Sequence, residues 1–326
     1  MSDWGKGAIN NNIGWGKGFD NTISWGSVYS VSSNGLTNIT GVSPAFTFTV
    51  NTSQTSSGSS AANQFKLPLN ATFNGVTADV DWGDNTTNTI TAFNQATVTH
   101  TYASAGTYTI KISGALRGFR FANIGEGLKM RNISNYGILE INENETFRGC
   151  ASLTQSATDA PLITSTALNS CFANCFVFNG DISNWNLSNV NNISSMFDNC
   201  ALFNSNISGW NVSNVTTMFL AFRGCLAFNA NIGLWNTQSM LNISFSLQSC
   251  NSFNRSLANW DINQITNFTG LFNNATGINT ANYDSTLISW NSKVPLTGKS
   301  ISFGGAKFTL GGAAAAARAS LISTYS

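Results

Sequence analysis

The sequence predicts a multidomain chain: an irregular arm over residues 1–42, an all-β sandwich over 43–115, and an α/β solenoid over 116–310 with a helical cap over 311–326. Three observations predict that class. Trp185, Trp210, Trp235 and Trp260 are stepped by 25 residues, and Cys150, Cys175, Cys200, Cys225 and Cys250 keep the same step. Phe-Asn pairs at Phe178, Phe203, Phe228 and Phe253 share it, and unrelated residue types locked to one period mark a repeat array. Upstream, segments such as residues 46–50 alternate apolar and polar with the period of a half-buried strand.

In the arm, Trp4-Gly5-Lys6-Gly7 recurs as Trp15-Gly16-Lys17-Gly18, and a third pair stands at Trp25-Gly26. Glycine permits tight turns and close backbone approach, while indole supplies anchoring area. The segment holds too little apolar mass to fold alone. It is either a β-hairpin strapped onto the next domain or a docking arm ordered by a partner or by copies of itself. It resembles the opening of several phage structural proteins, and that resemblance favours docking.

Residues 78–82, 97–102 and 107–112 also read as strands, and 52–63 as a Ser/Gly-rich loop. His100, the single histidine, stands beside Tyr102 in a strand, which suits a hydrogen-bonded structural group rather than a catalyst. Asp79, Asp81 and Asp84 lack the spacing of an EF-hand loop and read as acceptors for turn N–H groups. Asp81-Trp82-Gly83-Asp84, His100-Thr101-Tyr102 and Ala105-Gly106-Thr107-Tyr108 together resemble a PKD-type immunoglobulin-like sandwich. That resemblance implies a core tryptophan, a Gly-Asp turn and tyrosines bracing the last hairpin.

One repeat unit spans residues 207–225. Trp210 and Val212, two apart, share one face of an extended segment, and Asn211 and Ser213 share the other. Val215, Met218, Phe219 and Phe222 follow at three- and four-residue spacing, which predicts a helical turn. A unit is then a short strand, a turn and a helical return. Its few large apolar groups cannot offset the entropy of ordering its backbone, so stacking is obligatory. The cysteine column reads as reduced packing thiols. Five in a column cannot all pair, Cys171 falls at the Met196 position, and no Cys-x-x-Cys pair or neighbouring histidine suggests a metal. Trp-Asn-Val-Ser-Asn-Val-Thr-Thr-Met-Phe at 210–219, with Phe222, Cys225 and Phe228-Asn229, resembles the BspA-like leucine-rich repeat over residues 128–275. That variety occurs in bacterial surface proteins and in bacteriophage proteins. Leu247 and Ala275 depart from its Phe and Cys. Beyond Phe272 the rhythm breaks. Residues 301–303 read as a last strand, and 313–322 as a helix that closes the array.

Charged residues make up only 9% and the net charge is +1, which excludes the basic patch that follows a phosphate backbone. No apolar run reaches the ~18 residues of a membrane span. Met1-Ser2-Asp3-Trp4 has neither the basic nor the apolar region of a secretory signal, and the many Asn-x-Ser/Thr triplets then read as by-products of composition. Assembly in bacterial cytoplasm with release by lysis reconciles these features with a surface-protein composition and reduced thiols. Chemistry is not expected: His100 lies in a different domain from every cysteine, and the acids Asp181, Asp198 and Asp261 do not recur. No catalytic, cofactor-binding or metal residue is therefore assigned. The outward ladder of Asn186, Asn211, Asn236 and Asp261, flanked by Ser188, Ser213, Gln238 and Asn263, either hydrogen-bonds a ligand or keeps an edge soluble. The resemblance implies a bacteriophage virion structural protein, displayed as a fibre, spike or decoration. Its arm would hold other virion proteins or further copies of itself, and its ladder would face a host glycan or protein. The alternative is a bacterial surface adhesin of the same repeat type.

Overall fold

The computed structural model describes residues 29–32, 35–38, 44–293 and 305–323. The tryptophan-glycine positions 4–7, 15–18 and 25–26, and the strand expected at 301–303, lie outside the described residues. Strands and turns dominate, and α-helices are few.

Within the arm's span, β1 (Tyr29–Ser32) and β2 (Gly35–Asn38) pair antiparallel. Then follow β3 (Phe46–Asn51), β4 (Gln64–Lys66), β5 (Ala78–Asp81), β6 (Thr87–Ile90), β7 (Thr99–Thr101) and β8 (Thr107–Gly114). β9 (Met130–Asn135), β10 (Glu140–Ile141), β11 (Thr154–Gln155) and β12 (Leu162–Ile163) come next. Six strands form one sheet in the order β11-β9-β3-β8-β5-β6, while β4 pairs with β7 and β10 with β12. The alternation in β3 sends Phe46, Phe48 and Val50 into the core. Phe48 meets Phe65 of β4 with ring centroids 6.0 Å apart, so the two sheets share an apolar layer. Trp82 is fully buried there, and the turn behind it requires glycine: a Cβ on Gly83 (φ +82°) would lie 2.3 Å from the Thr109 carbonyl oxygen.

The boundary expected at 115/116 is not a break in hydrogen bonding. β9, from the expected solenoid span, pairs antiparallel with β3 and parallel with β11, so one strand belongs to both regions. A buried ion pair fastens the Ser/Gly loop to this junction. Lys129 Nζ donates to the carbonyls of Ser60, Ala61 and Gln64 at 2.8–3.0 Å and lies 3.1 Å from Glu126 Oε2. Glu126 Oε1 accepts from the Ser60 N–H. An ammonium withdrawn from water needs this full set of acceptors.

The repeat units stack in parallel, but neither the strand nor the helix expected in each unit forms. Pairing shrinks to single parallel bridges along Ala167, Asn192, Thr217, Asn242 and Asn267. The expected strand at 210–213 is a short extended stretch between two turns. Local bonds take the donors a ladder would use: Trp210 N donates to Ile207 O, and Ser213 N to Asn211 Oδ1. The expected helical return is a run of turns that uses its N–H groups alternately. Met218, Leu220, Phe222 and Gly224 donate to Asn242, Ser244, Ser246 and Gln248 of the next unit, at 2.9–3.1 Å. Ala221, Arg223 and Cys225 donate instead to Met218, Leu220 and Phe222 of their own turn. Left-handed backbone at Leu220 (φ 58°) and Gly224 (φ 72°) swings alternate amides outward. Val215, Met218 and Phe222 are buried as their spacing predicts, whereas Phe219 is 37% exposed.

The columns hold. Phe172, Phe197 and Phe222 stack at 5.6 and 5.7 Å, and Trp210 stacks on Trp235 at 6.5 Å with 10° between ring planes. Each indole N–H of Trp210, Trp235 and Trp260 donates to a carbonyl one unit back: Ile182, Ile207 and Ile232. The thiols of Cys175, Cys200, Cys225 and Cys250 likewise donate to Phe147, Phe172, Phe197 and Phe222 at 2.9–3.1 Å. All six cysteines are free and buried.

The cap starts earlier than residue 311. Helix α1 (Thr280–Ser292), which the sequence reading leaves inside the array, is N-capped by Asn279 and buries Tyr283, Thr286, Leu287 and Trp290. It answers the open groups of the last unit: Thr286 Oγ1 accepts from Leu257 N, and Trp290 Nε1 donates to Leu257 O. Lys293 Nζ donates to the carbonyls of Ala258 and Trp260. Helix α2 (Ala313–Ser323), expected from its alanines, packs on α1.

Candidate interaction surface

The expected ladder is built by the turn that follows each tryptophan. Asn186, Asn211 and Asn236 are exposed and Asp261 is half-buried. The column is real, because adjacent units are tied beside it: Asn214 Nδ2 donates to Ser188 O, and Thr237 Oγ1 donates to Asp261 O. Its acceptors, however, are occupied. The Oδ1 atoms of Asn186, Asn211, Asn236 and Asp261 accept from the backbone N–H of Ser188, Ser213, Gln238 and Asn263, at 3.0–3.2 Å. Ser213 also gives its hydroxyl to Asn211. At Asn186, Asn211 and Asn236 the ladder therefore turns amide N–H2 donors to solvent beside engaged oxygens, whereas Asp261 brings a carboxylate and no donor.

A second asparagine column escaped the sequence reading, although its Phe-Asn pairs were visible. Oδ1 of Asn179, Asn204, Asn229 and Asn254 accepts from the backbone N–H of Asn204, Asn229, Asn254 and Asn279, at 2.7–3.0 Å. Each asparagine ties its unit to the next, and the last reaches the N-cap of α1. One ion pair spans two units of this array: Arg223 grips Asp198 one unit back with two bonds, at 2.7 and 2.5 Å. Near the junction, Glu145 accepts from both Arg120 and Arg148. Partial burial pushes the Glu145 carboxyl up, and those two guanidinium bonds more than reverse it, holding it below the usual range.

The exposed apolar residues were not anticipated either. Phe176 (48% exposed), Leu202 (53%) and Leu226 (47%) follow the column cysteines, where Leu202 N donates to Phe176 O. Phe219 meets Phe245 edge-on at 6.3 Å. A shallow depression of about 280 Å³ lies at the junction between Ser56, Ser57, Asn123, Ile124 and Leu128, with no ionisable group on its wall.

His100 is held as a structural group. Its Nε2 lies 2.8 Å from Asp84 Oδ2, its ring stacks on Trp82 at 4.7 Å, and the Tyr102 hydroxyl donates to Trp82 O. Burial works to raise the Asp84 carboxyl, but bonds from Thr86 and His100 outweigh it and hold it low. Asp81 and Asp84 accept from the Gly83 and Thr86 N–H groups, as turn acceptors do. Among the described residues no three His, Cys, Asp or Glu side chains gather in a metal-sized cluster, and no helix is long and apolar enough to cross a membrane. Burial pushes every thiol up, Cys171 to about 12, so none is a ready nucleophile.

No curated protein and no solved structure matches this chain. Residues 166–286, the span that carries the stacked units and most of α1, match a family described as Mycoplasma protein of unknown function, DUF285.

Proposed function

We propose that this chain is a display protein without catalytic activity, borne on a bacteriophage particle as a fibre, spike or decoration. In this reading residues 43–115 form a PKD-type immunoglobulin-like sandwich, and the units beyond form a leucine-rich-repeat-type solenoid. The arm holds other virion proteins or further copies of the chain, and the array faces a host glycan or protein. One observation carries the non-catalytic, display part of the reading: the recurring asparagine oxygens of the array are spent on its own turns and on neighbouring units. Such an array is a stiff, neutral scaffold with no convergent acid, base or nucleophile, which suits presentation rather than chemistry. The test is mass spectrometry of particles purified from a bacterial lysate. A fixed copy number per particle, lost when residues 1–42 are deleted, supports the reading, and absence from particles overturns it.

The match to a family described from Mycoplasma favours a second reading, a bacterial surface adhesin. Protease shaving of intact cells separates the two, since an adhesin is cleaved from the cell surface while particles lack it.

A further inference from the structure

We draw no further inference here: the strongest candidate, the half-exposed apolar patch of Phe219, Leu220 and Phe245 on the turn ribbon, sets two bulky apolar residues on left-handed backbone where other units place Glu, Ser or Gly, but nothing in the structure shows what covers it.

Discussion

Asparagine is the residue that explains this chain's composition, because it does two jobs that are easily confused. At Asn211 the side chain closes its own turn, and the same geometry recurs at Asn192, Asn206, Asn242 and Asn267. These five Asn-x-Ser/Thr triplets thus mark turns in which Oδ1 accepts from the residue two positions on, whereas Asn254-Arg-Ser spends its Oδ1 on the next unit. At Asn229 the side chain instead bridges two units. The two jobs predict different costs. Asn229→Ala leaves the Asn254 N–H without its acceptor and is expected to lower unfolding free energy by about 1–2 kcal/mol. Asn211→Ala, at an exposed turn, is expected to cost no more than about 0.5 kcal/mol. Urea midpoints of the two variants check this, and equal costs would refute the assigned roles. The carboxylates add a pH term. Asp84, Glu145 and Asp181 are all held below their ordinary values, Asp181 chiefly by bonds from Ser183. A carboxyl with a depressed folded pKa stabilises the fold above its unfolded value and loses that contribution as pH falls through the folded one. The window therefore opens near the ordinary values of 3.8 and 4.5 and extends downward. Thermal midpoints should be flat from pH 7 to 5 and fall below 4, less steeply in Asp84→Asn.

At the scale of the element, the thiol column makes the sharpest prediction. Each column thiol is buried and raised in pKa, and all but Cys150 donate to a carbonyl one unit back, so the native protein should give almost no reaction with an aromatic disulfide reagent at pH 8. All six should react once denatured, and a thiol that reacts within seconds in the native protein would contradict the packing. How much was legible in the sequence follows the same divide between side-chain columns and backbone. The Trp, Phe and Cys columns could be read because stacking places like on like at a fixed step. The failure of the strand at 210–213 could not, because its alternation was genuine while Ile207 O and Asn211 Oδ1 took the N–H groups of Trp210 and Ser213. Helix α1 was hidden by its Asn, Ser and Thr content, which lowers helix propensity, and it forms because the last unit offers bonds to Thr286 and Trp290. Lys129 was hidden for a different reason: its partners at 60–64 are distant in sequence and only the fold brings them together. Of the ladder, Asn186, Asn211 and Asn236 are exposed and Asp261 is half-buried, and nothing in their spacing revealed that each Oδ1 was already engaged by a backbone N–H.

At the scale of the whole molecule, the repeat makes each internal interface nearly interchangeable, while the two ends are unique. β9 joins the first units to the sheet of β3, and α1 closes the last. Removal of one complete unit should therefore be tolerated where removal of half a unit is not. Deleting residues 228–252 joins Ala227 to Phe253, keeps the 25-residue phase and spares the Asp198–Arg223 pair. Asn254 then takes the place of Asn229 above Asn204, and Asn267 takes that of Asn242 beside Thr217. The shortened protein should unfold in one cooperative transition, with a urea m-value lower by roughly a tenth because less surface is exposed. Deleting residues 228–239 alone puts every later aromatic, thiol and asparagine out of register and should abolish that transition. If both deletions behave alike, the units are not held by in-phase columns, and the stacking account fails with them.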